Sequence, residues 1–151
     1  MCYYHTYGVP VVITNSSNVI GPGQDSEKFL PRAIALIEAG DSVPIHVRYG
    51  REGSRVYNGV RNVADALWWI LRPPTIQPER YHLPGGEEMT NLALAQMAAR
   101  ILGKRLWFHY VEVDAVRPGW DAHYAVLGGR LERYGWKPVT TVEETLVEML
   151  T

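Results

Sequence analysis

Cysteine is almost missing from this chain: Cys2 is the only one among 151 residues. No intrachain disulfide can form, and zinc motifs built on cysteine pairs are excluded. The five histidines, His5, His46, His82, His109 and His123, never stand in His-x-x-x-His or His-Glu-x-x-His spacing, so no metal site is expected. No Gly-x-Gly-x-x-Gly run follows a strand, so a dinucleotide fingerprint is lacking as well. Long apolar runs are also missing, none approaching the roughly 20 residues that span a bilayer. The start Met1-Cys2-Tyr3-Tyr4-His5 has neither the basic opening nor the apolar stretch of a signal peptide. Charge of one sign is equally scarce: 15 basic residues meet 16 acidic ones, for a net charge of −1. That balance leaves no electrostatic footprint for nucleic acid or an anionic membrane. The expectation is a soluble, cytoplasmic protein with neither of those partners.

What is present suits one domain over residues 1–151, with 46% hydrophobic residues to build a core. Val9 to Thr14 is a β-branched run that predicts a buried strand. It leads into the polar cluster Thr14-Asn15-Ser16-Ser17-Asn18 and a Gly21-Pro22-Gly23 corner. Polar residues just past the carboxyl end of a buried strand stand where α/β sheets hold their ligands. Ser26 is the expected N-cap of a helix carrying Phe29, Leu30, Ala33, Ile34 and Ile37 on one face and ending at Gly40. Val43 to Tyr49 and Ser54 to Val60 read as strands of a hairpin around Gly50-Arg51-Glu52-Gly53.

Asn62 is expected to cap a helix running through Leu71 and stopped by Pro73-Pro74, with a surface connector from Pro74 to Glu79. Arg80 to Leu83 is a short strand turned by Gly85-Gly86, and Thr90 or Asn91 opens a helix ending near Gly103. Leu106 to Val113 is a further strand, and Gly129 to Tyr134 and Val142 to Leu150 are short terminal helices. The fold class is α/β, a small mixed sheet with flanking helices.

Five segments in order carry a family likeness. Tyr7-Gly8-Val9-Pro10 is followed by Thr14-Asn15-Ser16-Ser17-Asn18, Gly21-Pro22 and Glu27-Lys28-Phe29-Leu30-Pro31. Then come Arg55 to Leu67, Tyr81-His82-Leu83-Pro84-Gly85-Gly86 with Asn91, Arg117-Pro118-Gly119-Trp120-Asp121-Ala122-His123-Tyr124-Ala125, and Gly135-Trp136-Lys137-Pro138. Together they resemble the substrate-binding, C-terminal half of extended short-chain dehydrogenases/reductases, among them the NAD-dependent nucleotide-sugar epimerases and dehydratases. Within that family they resemble the dTDP-glucose 4,6-dehydratases. The family's catalytic Tyr-x-x-x-Lys has no counterpart here, so this resemblance implies the part of the fold without the NAD-binding Rossmann core. No catalytic residue is assigned.

The resemblance implies a nucleoside-diphosphate sugar held by Asn18, Lys28, Arg55, Asn91 and Arg117. Arg55 and Arg117 match residues that approach the diphosphate, and Asn18 matches one at the diphosphate–sugar junction. Each has a plainer alternative. The arginines and Lys28 suit a solvated surface, Asn18 suits a turn satisfied by its own side chain, and Asn91 suits a helix N-cap. Asn15, Ser16 and Ser17 would border NAD only if a Rossmann half were paired with them, and no cofactor is expected on this chain alone.

Val56, Val19, Asn62, His82, Trp120 and His123 depart from the family pattern, several by loss of charge. That favours a second possibility, a non-enzymatic binding or dimerisation module. Under either reading the Val9–Thr14 strand presents an open apolar edge, expected to be covered by a second copy or a Rossmann-half partner.

Overall fold

The computed structural model describes residues 2–72, 79–113, 120–126 and 128–151. The chain opens with α1 (Cys2–Tyr7), a six-residue helix with no buried residue. The strand expected over Val9 to Thr14 begins later, as β1 (Ile13–Ser16). Val9 is 42% exposed, and of the β-branched residues before the ladder Val12 packs against the second core. β1 pairs in parallel with β6 (Arg80–Leu83), and these two strands form a sheet of their own. β1 therefore has hydrogen-bonded company on one side only among the described residues.

A second strand, β2 (Asn18–Ile20), follows within the polar cluster. The expected cap at Ser26 does not form. Asp25 makes the turn instead, its carboxylate accepting from Glu27 N–H at 2.8 Å and its carbonyl from Lys28 N–H at 3.0 Å. Lys28 holds the cap position of α2 (Phe29–Ala39) without a side-chain bond. Leu30, Ala33 and Ile37 recur at helical spacing and are buried. Gly40 ends the helix at φ 76°, and Asp41 N–H closes back on Leu36 O at 2.8 Å.

The expected hairpin is a correction. β3 (Ser42–Arg48) turns at Tyr49 and Gly50, with φ 51° and 70°, and pairs with the two-residue β4 (Arg51–Glu52). Two consecutive left-handed residues make the tight turn whose twist matches antiparallel strands. Past Gly53 the chain leaves that sheet, so β5 (Ser54–Gly59) does not pair with β3. β5 is instead the centre of another sheet. It runs parallel to β2 and to β9 (His123–Tyr124), and antiparallel to β7 (Glu87–Thr90).

α3 (Val60–Ile70) starts at Gly59 with no side-chain cap, so Asn62 is not its cap. Asn62 is 1% exposed and points at the distant C-terminal loop. Its Oδ1 accepts from Val139 N–H and Thr140 N–H at 2.8 and 2.9 Å, and its Nδ2 donates to Thr140 O at 2.9 Å. The Pro73-Pro74 stop and most of the connector lie outside the described residues.

α4 (Asn91–Ile101) is capped by Thr90, whose hydroxyl accepts from Ala93 N–H at 3.1 Å. β8 (Trp107–Glu112) runs parallel to β3, completing a three-stranded sheet ordered β4-β3-β8. α5 (Arg130–Arg133) and α6 (Val142–Leu150) follow, α6 opened by a capping box between Thr141 and Glu144.

The main core gathers Ile20, Leu30, Ile37, Ile45, Tyr57, Leu94 and Leu146 between α2, α4, α6 and the strands. A second core sets Ala66 and Ile70 against Tyr81, Leu83, Leu131 and Trp136. Trp136 is 2% exposed and donates from Nε1 to Asp65 at 2.8 Å. The expected class, α/β with mixed strand pairing and flanking helices, is the one observed, its strands divided over three small sheets. Among the described residues no helix is long and apolar enough to cross a membrane.

Candidate functional site

A cleft of about 920 Å³ opens where β2, the start of α2, β3, β5 and the 120–124 segment converge. Asn18, Lys28, Arg55 and Asn91 all line it. They come from four different stretches of chain, brought together by the parallel β2–β5 ladder and the antiparallel β5–β7 ladder. Arg117 lies outside the described residues, although Trp120 and Asp121, just after it in the chain, line the cleft. Of the three residues expected near a dinucleotide, Ser17 lines the cleft. Asn15 and Ser16 sit in the β1–β6 ladder opposite His82 and Leu83.

Asn91 occupies the first turn of α4 but leaves the capping to Thr90. Its Oδ1 accepts from the Tyr57 hydroxyl at 2.6 Å. Burial pushes the Tyr57 phenol up to about 12, against the downward pull of the Arg55 charge. The phenol is therefore neutral and remains a donor at physiological pH. With Oδ1 occupied, the Asn91 amide nitrogen is the group left to donate to a ligand.

Arg55 is half-buried and largely committed to the protein. Nη1 donates to Ser54 O at 2.7 Å and Ala122 O at 3.1 Å, and Nη2 donates to Asp121 O. Its guanidinium lies 5.4 Å from the centre of the Trp120 ring, within cation–π range. Three of its five donor hydrogens thus hold the 120–122 wall in place. Gly53 permits that approach, since a Cβ there would stand 2.5 Å from a Trp120 ring carbon and 2.6 Å from Ala122 O.

The opposite wall comes from β3 and β8. Pro44 and His46 project from one face of β3, and Val111 stands beside His46 in the β3–β8 register. At the floor, Ser17 is 4% exposed and its hydroxyl has no hydrogen-bond partner. Gln24 donates from Nε2 to Val19 O at 3.0 Å, leaving its buried Oε1 without a partner. Buried polar atoms left unpaired are costly and uncommon.

Behind the wall, Ser54, Glu88 and His123 form a compact cluster. Ser54 Oγ donates to Glu88 at 2.6 Å and stands 3.1 Å from His123 Nδ1, which is itself 3.0 Å from Glu88. The hydrogen bond from Ser54, and then the neighbouring imidazole, hold the Glu88 carboxyl below its usual range. The serine hydroxyl donates its hydrogen bond to the carboxylate, and one imidazole nitrogen faces both partners. The cluster therefore fastens β9 to β5 and β7 and is not arranged to activate a nucleophile. No group of three or more metal-ligating side chains occurs among the described residues.

Tyr57, Gln24, Arg32, His46 and Tyr124 also line the cleft without having been singled out from the sequence. The available signal for Arg32 was its position one helical turn after Lys28, on the same face of α2.

A family model described as GDP-mannose 4,6 dehydratase matches residues 1–149. A dTDP-glucose 4,6-dehydratase of Xanthomonas campestris pv. campestris is 31% identical, covering 97% of this chain and 43% of the relative. The crystal structure of dTDP-glucose 4,6-dehydratase from Bacillus anthracis, in complex with NAD, superposes with a TM-score of 0.83 at 28% identity. That match covers 99% of this chain and 46% of the other. A dTDP-glucose 4,6-dehydratase from Streptomyces venezuelae gives a TM-score of 0.84 at 27% identity, over 99% and 45% of the two chains. The chain spans less than half the length of these relatives.

Proposed function

We propose a function from the premise that the chain belongs to the GDP-mannose 4,6 dehydratase family: its cleft binds a nucleoside-diphosphate sugar. The observation that carries this reading is the convergence of Asn18, Lys28, Arg55 and Asn91 on one cleft. Cations and amide donors suit a diphosphate and sugar hydroxyls, and a wall with the Pro44, His46 and Val111 side chains suits the faces of a base. Arg117 joins this set as a proposal, on the strength of its motif alone.

By this reading the dinucleotide is held mainly by residues outside this stretch. The Gly21-Pro22-Gly23 corner between β2 and α2 lacks the Gly-x-Gly-x-x-Gly spacing, and Ser17 is the one of the three polar candidates that lines the cleft. Hydride chemistry on the sugar then needs an NAD-bearing Rossmann half outside these 151 residues, whether joined to them or supplied as a second chain. By this reading the residues here bind and orient substrate, and the base and the hydride acceptor come from elsewhere.

A second reading, a dimerisation or interaction module, is favoured by the one-sided pairing of β1 and the exposure of Tyr3, Tyr7 and Trp68 at 68%, 72% and 63%. Calorimetric titration with dTDP, UDP and GDP separates the two. Saturable binding of one nucleotide, weakened by Asn91→Ala, supports the substrate site. No heat from folded protein with any of the three leaves the interaction module in its place.

A further inference from the structure

Arg55 has spent most of its donors on the wall it holds. A diphosphate in the cleft therefore needs cations that are still free. Two stand on α2. Lys28 holds the cap position and Arg32 follows four residues later, with Arg32 N–H bonded to Lys28 O at 3.2 Å. Both Lys28 and Arg32 line the cleft. Phe29 and Leu30, between them, also line the cleft, so the first turn of this helix faces it.

Arg32 is exposed and has no carboxylate partner among the described residues, and the first turn of α2 carries no acid. Lys28, Arg32 and Arg55 outnumber Glu27 and Asp121 among the charged residues lining the cleft, while the whole chain is net negative. The positive charge is thus local to this site.

We infer that Arg32 is a phosphate-binding residue of this cleft, pairing with Lys28 to take the two phosphoryl groups of a diphosphate from the α2 side. The role rests on the nucleotide-sugar reading above and assigns it a residue the sequence pattern did not. Arg55 becomes chiefly the positioning residue of the opposite wall. A planar guanidinium offers two parallel donors to one phosphoryl, which Lys28 as a point charge does not.

The test is calorimetric. The unsubstituted chain is titrated with UDP, dTDP and GDP, and the tightest of these is carried forward with its monophosphate and its parent nucleoside. Arg32→Gln is expected to weaken the diphosphate about tenfold, to weaken the monophosphate less and to leave the nucleoside unchanged. The salt dependence of diphosphate binding becomes shallower, and Arg32→Lys recovers part of the loss. Arg32 is exposed, so an unchanged melting temperature shows that folding is intact. Wild-type affinity of Arg32→Gln for the diphosphate, or an equal loss for the nucleoside, overturns the role of Arg32 while the cleft reading stands. Failure of the folded, unsubstituted chain to bind any of the three diphosphates overturns that reading, and this inference with it.

Discussion

The Tyr57 hydroxyl donates to the carboxamide oxygen of Asn91 across 2.6 Å, joining β5 to the first turn of α4 beneath the cleft. Tyr57→Phe removes that bond and leaves the Asn91 oxygen without its donor. The expected cost is about 1 kcal/mol of stability by chemical denaturation. On the nucleotide-sugar reading, affinity for the nucleotide falls with it, because the Asn91 amide is no longer held.

The same phenol carries an alkaline signature. Its folded value is raised to about 12 from the ordinary 10.0 by burial. Its contribution to stability is therefore complete below the unfolded value and lost as pH rises from there through the folded value. Melting temperature is expected to drop over that window, and the drop in Tyr57→Phe should be smaller. Equal drops in both proteins would count against the buried neutral phenol.

Asn62 holds main-chain groups of Val139 and Thr140 from a buried position. Asn62→Ala takes the side-chain partner from three backbone groups of Val139 and Thr140 and should cost about 2 kcal/mol. Denaturation midpoint measures the cost, and amide exchange should quicken first at residues 139 and 140.

Gly53 fits against Trp120 and the Ala122 carbonyl with no room for a side chain. Gly53→Ala is expected to push the 120–122 wall away from β5 and loosen the Arg55 bonds. Amide exchange at Ser54, which donates to Ala122 O at 2.8 Å, should accelerate while exchange in α6 stays unchanged.

The open side of β1 supplies a test of association. Thr14 is exposed on this strand, and a charge there blunts strand-to-strand pairing. If copies of the chain associate through β1, Thr14→Lys shifts sedimentation toward the monomer. An unchanged profile places any association elsewhere.

Periodic elements were legible in the sequence. The apolar positions of α2, the helix at α4, the strand at β6 and the bounds of α6 all follow from local pattern. β2, β7 and β9 were not legible: each has four residues or fewer and exists because β5 offers it a partner. The hairpin was misplaced because Gly50 and Gly53 both look like turn residues, whereas the left-handed position before Gly50 belongs to Tyr49. At the cleft, Asn18, Lys28, Arg55 and Asn91 were found through motifs. Arg32, Tyr57 and His46 became visible only when separate elements met. Asn62 has the local pattern of a cap, and its true partners lie 77 and 78 residues away.

That separation has a consequence for a chain still being made. At roughly 5–20 residues per second, Asn62 leaves the ribosome roughly 4–15 s before residues 139 and 140 arrive. Throughout that interval its carboxamide lacks the backbone groups that later surround it. The α3 end of the molecule is thus unsealed until residues 139 and 140 are made, and a segment translated long after α3 is the one that closes it.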